Sequence, residues 1–492
     1  MLSVAALLLS WPLPASGQNP PRKEDAALPR LSELRPGWNV LRPGGETKCA
    51  KGGEYAFSVR PRATDKLLVW FEGGGACWTA EDCIRERFYR AQLDSAAVTA
   101  PRNQGLFDQT HTGNPFSEYS TVIVRYCTGD VHLGDRDATY AMRDEAGETR
   151  RHTIHHRGQV NAMAVLRWIH HNFPAPRNVF VSGTSGGAHP TPFYASLLAR
   201  HYPQARVVGL ADSAQNSLPA PENHQWGFPV AVRRHPGWEQ FPENWRVADV
   251  FVTAARTAPR LQLLQFNHAY DANARLRLRQ LGGLDDGKAD LLALLRADQR
   301  EIVRDVPSFR SFTIGGRGHG ALQQANFYIY AAGGHLLRDW VANAAAGQPV
   351  ATVECTDCSR PEFVFSERDL RIVERALALV SAPGAWSSAD PPQQCSPTLV
   401  RYSLNCALRA AVDEIAPRTN TAGAWEVVYT AIDKLGPYFD ERRDELQDER
   451  GIAPVLALNL FNNRPGTTVN DVISVLEEAR ERIRADLRRK AK

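Results

Sequence analysis

The chain has 492 residues, 43% of them hydrophobic and 23% charged, which is a globular composition and excludes collagen-like, coiled-coil and wholly disordered proteins. Its 58 basic and 54 acidic residues leave a formal net charge of +4, too balanced to imply a nucleic-acid partner. No run of about eighteen apolar residues follows the N-terminus, so no transmembrane segment is expected.

Residues 1–17 combine an apolar run with the small residues Ala15-Ser16-Gly17 and read as a signal peptide, although no basic residue precedes the run. With export, the eight cysteines, an even number, imply disulfides and a secreted or periplasmic location. Residues 18–46 are rich in Pro, Arg and Glu, show no period, and read as a linker or irregular arm. Residues 47–346 alternate strand-like and helix-like segments. The strand-like runs are Leu67–Phe71, Val122–Val124, Val179–Val181, Val207–Ala211, Leu263–Phe266 and Phe312–Ile314. Continuous apolar runs of this kind fit strands buried on both faces of a parallel sheet. Between them, Ala162, Val165, Leu166 and Ile169 keep helical spacing ahead of Pro174. Further helices are expected at about 193–202 and 322–343. The alternation predicts an α/β fold with a mostly parallel sheet flanked by helices.

The pattern changes after about 347, and residues 360–492 read as a small helical domain of unknown role. Ser366 with Asp369 opens a helix carrying Leu370, Val373, Leu377 and Val380. Leu404, Leu408, Ala411 and Ile415 mark a second helix. Val472, Val475, Leu476, Ala479 and Ile483 mark a third.

Gly183-Thr184-Ser185-Gly186-Gly187 places G-x-S-x-G between a buried-strand run and a helix. A sharp turn there would hold Ser185 in strained backbone geometry above the sheet, the arrangement of a nucleophile elbow. Pro190 and Pro192 are tolerable only in the first turn of the helix that follows. A serine nucleophile needs a base, and the base an orienting carboxylate. Of fourteen histidines, His319 lies in the loop Gly315–Gly320, just after the last expected strand. His189 is too close to Ser185 in sequence to swing back, and His155 and His156 precede the serine, the wrong order for this fold. Asp271 and Asp212 each end a strand, and position alone splits them evenly. Asp271 is one strand later and nearer His319. The other carboxylate would order a loop by accepting backbone N–H bonds. Gly73-Gly74-Gly75, after the first strong strand, offers unobstructed N–H groups for an oxyanion hole, with Gly186 as a further donor.

These stretches together resemble the pectin acetylesterase family of Notum-like serine carboxylesterases, as a bacterial-type member with an extra C-terminal helical region. The resemblance rests on LLVWFEGGGACWTAEDC (Leu67–Cys83), RYCTGD (Arg125–Asp130), SGTSGG (Ser182–Gly187), GLADSA (Gly209–Ala214) and the Tyr270-Asp271 and His319 neighbourhoods. It covers roughly 45–345. It implies an α/β-hydrolase fold, a catalytic triad of Ser185, Asp271 and His319, and an oxyanion hole of Gly74, Gly75 and Gly186. It also implies disulfides Cys49–Cys127 and Cys77–Cys83, with Cys355–Cys358 and Cys395–Cys406 pairing by default. No cofactor and no metal are expected. The chain departs from the family at Gly75, where a bulky aromatic follows the two glycines in Notum-like members, and in the helical region after about 360. Both bear on the pocket and the substrate.

Cys355-Thr356-Asp357-Cys358 could hold zinc or serve redox chemistry, but it lacks a matching second pair or a thioredoxin-like strand, so a small disulfide is expected. The charged tail from Glu477 reads as a solvated helix face. The expected function is a carboxylester hydrolase acting on an acylated carbohydrate or other small acyl ester, removing O-acetyl groups from a polysaccharide. The alternatives are a lipase, protein deacylase or peptidase on the same fold, or a non-catalytic binding protein.

Overall fold

A computed structural model describes residues 28–93, 100–101, 103–144, 146–215, 221–280, 290–389, 395–415, 422–432 and 454–490. The expected signal peptide, residues 1–17, lies outside the described residues, as does the start of the expected arm.

The six apolar runs become the parallel part of one eight-stranded sheet. In chain order its strands are β1 (Asn39–Leu41), β2 (Phe57–Arg60), β3 (Ala63–Phe71), β4 (Tyr119–Val124), β7 (Asn178–Thr184), β8 (Arg206–Asp212), β9 (Gln262–His268) and β10 (Arg310–Ile314). Between β4 and β7 stands a separate antiparallel hairpin, β5 (Arg136–Arg143) with β6 (Thr149–His156). The sheet order is β1-β2-β4-β3-β7-β8-β9-β10, with β1 and β2 antiparallel and the rest parallel. This mostly parallel sheet flanked by helices is an α/β-hydrolase-like fold.

Alternate residues of each central strand serve different cores, which is why the runs are continuously apolar. Leu68 and Trp70 of β3 join Ile123, Phe180, Leu264 and Phe312 on one face. Leu67, Val69 and Phe71 join Val122, Val179, Val181 and Leu263 on the other. The helix Gly158–Asn172 covers the second face with Ala162, Val165, Leu166 and Ile169, all fully buried. The next helix, Thr191–His201, starts with Pro190 as its N-cap and Pro192 in its first turn, where missing N–H groups cost nothing.

Three local expectations change. Within the expected irregular arm, Asn39–Leu41 pairs with β2 at the sheet edge. The helix expected over 322–343 begins only at Leu337 and runs to Ala346. Ahead of it the chain makes a short 3-10 turn at Ala325–Tyr328 and two short strands. Gly333 and Gly334, with φ of +52° and +80°, turn the chain between those strands and break any helix. The β5–β6 hairpin was not anticipated, because only Ala138, Tyr140, Ile154 and His156 alternate inward among exposed Arg, Asp and Thr residues.

Toward the C-terminus the helix Glu367–Ser381 opens on a capping box, with Ser366 Oγ accepting from Asp369 N and Asp369 Oδ2 accepting from Ser366 N at 2.9 Å. Its buried face is centred on Ile372, Val373, Ala376 and Val380, leaving Leu370 and Leu377 partly buried. Helices Leu404–Ile415 and Val469–Lys490 follow the anticipated spacing, joined by Ala422–Ala431 and Pro454–Asn463. Val472, Leu476, Ala479 and Ile483 belong to the same continuous apolar cluster as Trp70 and Phe312 of the sheet. The helical region and one face of the sheet therefore share a core.

The cysteines form Cys49–Cys127, Cys77–Cys83, Cys355–Cys358 and Cys395–Cys406. No helix among the described residues is long and apolar enough to cross a membrane.

Candidate active site

Every candidate residue lies at the carboxyl edge of the parallel strands, where open α/β sheets place their ligands. Glu72 and the three glycines follow β3, and Ser185 follows β7. Asp212 ends β8, Asp271 follows β9, and His319 follows β10.

Ser185 adopts φ +59°, a left-handed conformation that an L-residue holds only under constraint. The constraint is close packing between strand and helix. A Cβ on Gly187 would lie 2.0 Å from the Phe71 carbonyl oxygen, so only glycine fits there. The Ser185 carbonyl accepts from Ala188 N at 2.8 Å and from His189 Nδ1 at 2.9 Å. His189 therefore supports the elbow backbone, and burial pushes its imidazole pKa down to about 4, so it is neutral at pH 7.

The structure brings His319 to Asp271. His319 Nδ1 lies 2.8 Å from Asp271 Oδ2. The other carboxylate oxygen, Oδ1, accepts from Asn273 N at 2.8 Å and Ala274 N at 3.0 Å. Burial alone would raise the Asp271 pKa, but the His319 charge, its hydrogen bond and the Ala274 N–H outweigh burial and hold the carboxyl below its ordinary range. Burial opposes the charged imidazole too, yet Asp271, with Asp212 behind it, raises the His319 pKa above its usual value. His319 Nε2 is buried and has no hydrogen-bond partner among the described residues. Behind this pair sits His268, whose ring a Cβ on Gly318 would meet at 2.6 Å, and burial lowers its pKa to about 4.

Asp212 does different work. Its Oδ2 accepts from Thr184 Oγ1 at 2.6 Å, Ala321 N at 3.1 Å and Leu322 N at 3.1 Å. Ser213 Oγ accepts from Gly320 N at 2.8 Å. Asp212 and Ser213 thus fasten the loop that carries His319, and Thr184 ties that loop to the elbow. Burial raises the Asp212 pKa despite these donors.

The glycine run faces the elbow. The point where a Cβ on Gly186 would sit is 3.1 Å from Gly75 O and 3.8 Å from Gly74 N. Gly75 has φ +74°, and a Cβ there would fall 1.7 Å from the Phe88 carbonyl oxygen. The space that a bulky residue would use is filled by the Phe88 backbone. Glu72 sits partly buried between Arg125 and Arg90, each with a nitrogen 3.2 Å from Oε1. Burial opposes its ionisation, but the two guanidiniums and the Tyr126 N–H hold its pKa below the ordinary value.

His155 and His156 end β6 and stand apart from this cluster. His156 Nδ1 donates to Thr128 O at 3.0 Å, and Nε2 accepts from Tyr140 Oη at 2.9 Å. Cys77, Cys83 and His156 approach one another closely enough to suggest a metal site, but both sulfurs are used in a disulfide. Sequence reasoning assigned no chemistry to Tyr126, Val131, Thr184 or Glu72. Glu72, Tyr126 and Thr184 lie inside motifs of the resemblance, but nothing local to those motifs says what their side chains touch.

Residues 43–215 match the family model described as Pectinacetylesterase, and residues 366–482 match a family of unknown function, DUF6197. Residues 43–215 therefore carry a pectinacetylesterase-family domain, a family that implies a hydrolase acting on ester bonds, and the chain has an additional helical region. The first match contains the glycine run and Ser185 and ends before Asp271 and His319. No curated protein matches the chain.

Proposed function

We propose that the protein is an exported serine carboxylesterase that removes O-acetyl groups from a polysaccharide, with Ser185 as nucleophile, His319 as base and Asp271 as the orienting acid. The observation that carries this reading is the 2.8 Å contact of His319 Nδ1 with the buried Asp271 carboxylate, at the same sheet edge as a serine at φ +59°. The family match supports an acylated carbohydrate as substrate, and four disulfides fit an oxidising compartment.

Ser185 Oγ attacks the ester carbonyl carbon as its proton passes to His319 Nε2. Asp271 holds the imidazole in the required tautomer and stabilises the cation that forms. The tetrahedral oxyanion is met by N–H groups of Gly74, Gly75 and Gly186. Collapse breaks the bond to the sugar oxygen, which leaves with the proton from His319. Water then attacks the acyl-serine, His319 taking and returning a proton, and acetate departs.

The test is turnover of p-nitrophenyl esters from C2 to C12, with Ser185→Ala as the blank. This variant should lose roughly six orders of magnitude in turnover. A rate falling steeply beyond acetate supports a deacetylase. A rate rising with chain length points to a longer acyl group, and a rate independent of Ser185 ends the proposal.

A further inference from the structure

Tyr126 is fully buried beside the glycine run and carries two hydrogen bonds on one hydroxyl. Its Oη accepts from Val131 N at 2.9 Å and donates to Gly75 O at 2.7 Å. Because the Val131 N–H can only donate, the hydroxyl proton is directed at Gly75. Its ring fills the space next to Gly74, where an added Cβ would come 2.3 Å from Cδ1.

The two loops it joins flank the elbow. One is the glycine run, whose preceding carbonyl, Gly74 O, is taken by Arg90 N at 2.9 Å. A planar peptide whose carbonyl is pinned on one side presents its N–H on the other. Arg90 thus sets the direction of the Gly75 N–H, and the next peptide is held by Tyr126 at Gly75 O and by Phe88 O, which accepts from Ala76 N at 3.1 Å, so that Gly75 is fixed from both sides. The other loop is a turn in which Val131 and His132 hold φ of +49° and +60°. A branched residue there is strained, and strain of this kind persists only where its surroundings enforce it. The turn is enforced from three sides. His132 Nε2 donates to Glu72 O at 2.8 Å, Tyr194 Oη donates to His132 O at 2.5 Å, and Tyr126 receives the Val131 N–H. Val131 Cγ1 then lies 3.6 Å from the point where a Cβ on Gly186 would sit.

We infer that Tyr126 is a positioning residue for the oxyanion hole, its hydroxyl setting the glycine-run peptide against Gly186 and the strained Val131 turn. This rests on the proposed esterase reading. Tyr126 is assigned no contact with substrate. The hydroxyl acts through Gly75, so its effect belongs to the transition state, when negative charge reaches the carbonyl oxygen.

The experiment compares the full chain with Tyr126→Phe and with 4-aminophenylalanine in place of Tyr126, which returns a donor on a ring of the same size. Kinetics on p-nitrophenyl acetate are paired with binding of a methylboronic acid, which forms a tetrahedral adduct on a serine nucleophile. For Tyr126→Phe we expect kcat to fall about tenfold or more, KM to stay within about twofold, and boronate affinity to fall in parallel with kcat, since loss of one oxyanion donor outright costs about a hundredfold or more. The 4-amino variant should recover most of both. Equal kcat and boronate affinity in the parent and Tyr126→Phe would overturn the inference. So would a rise in KM alone, or a loss of rate that the 4-amino variant fails to restore. Failure of the esterase reading is distinguishable: the parent itself would bind no boronate and would turn over esters independently of Ser185.

Discussion

Thr184 donates its hydroxyl to Asp212 at 2.6 Å, and through that bond the turn carrying Ser185 is fastened to the loop carrying His319. The same carboxylate oxygen accepts from the N–H groups of Ala321 and Leu322, two and three residues beyond the histidine. Asp212→Asn replaces an acceptor of three donors with a group that can satisfy fewer. The expected result is a drop in kcat of about tenfold or more with the protein still folded. Asp212 is the smaller of the two carboxylate influences that raise the His319 pKa, so the acid limb should move to lower pH by less than in a variant of the proposed triad acid, Asp271.

Asp271→Asn should behave differently. Asp271 raises the His319 pKa, so the base is protonated, and the enzyme silent, at a pH where an ordinary imidazole of pKa about 6.5 would already be free. In the parent, kcat/KM should therefore rise through a limb above that value. In the variant the limb should move to lower pH, and kcat should fall by about four orders of magnitude because the tautomer is wrong. Rates across pH 4 to 9 on an acetyl ester check both.

Glu72 and Arg125 form a partly buried pair, with side chains 17% and 3% exposed. Glu72→Gln takes the carboxylate from beside Arg125 and Arg90, at a cost of about 3 kcal/mol, the low end for breaking a buried pair because Glu72 is partly exposed. The pKa of Glu72 is lowered on folding, so its contribution is fully present above the ordinary carboxylate pKa and is lost as pH falls through the lowered value. Melting temperatures of the parent should fall on the acid side of that window, and the variant should show a flatter acid limb from a lower starting point.

Gly75→Ala is expected to be far worse than an ordinary surface change. The left-handed φ and the 1.7 Å approach to Phe88 O cannot both be kept. The glycine run must shift, taking with it the N–H groups that face Gly186. Activity on acetyl esters should be lost, and stability should fall by about 2 kcal/mol or more, readable in a thermal melt.

The Cys355–Cys358 bridge closes a turn that lies against the histidine loop. Gly316 N donates to Cys358 O at 3.0 Å, and Tyr270 N donates to Gly316 O at 3.0 Å. Cys355→Ser with Cys358→Ser should cost about 2 kcal/mol, as expected for so short a ring. It should also lower kcat several-fold by loosening the support of His319. Unchanged kinetics would show that the loop holds itself.

The parallel strands were readable because their two buried faces leave no polar residue in the run, as in Leu67–Phe71. The edge strand Asn39–Leu41 was not, since three residues carry no period. The elbow was readable because glycine spacing and the flanking strand and helix report the same turn. The choice between Asp271 and Asp212 was not open to spacing, because both end strands at the same sheet edge. It depends on which carboxylate meets the imidazole and which meets Thr184 and the backbone of Ala321. Tyr126 was invisible for a related reason. Its importance lies in two partners, Gly75 and Val131, that only the assembled loops bring to one hydroxyl.

The shared core has a consequence for how the molecule can be divided. Residues up to about 346 contain the proposed nucleophile, acid and base, and a gene fragment ending there would look complete. Yet Gly315 and Gly316 are backed by the backbone of Asp357–Pro361, and Trp70 and Phe312 belong to an apolar cluster completed by helices that reach Ile483. Such a fragment would carry the reacting groups with one wall stripped to water. The C-terminal helices are therefore not cargo appended to an esterase. They complete the apolar cluster on one face of the sheet, which a chain cut at 346 would expose.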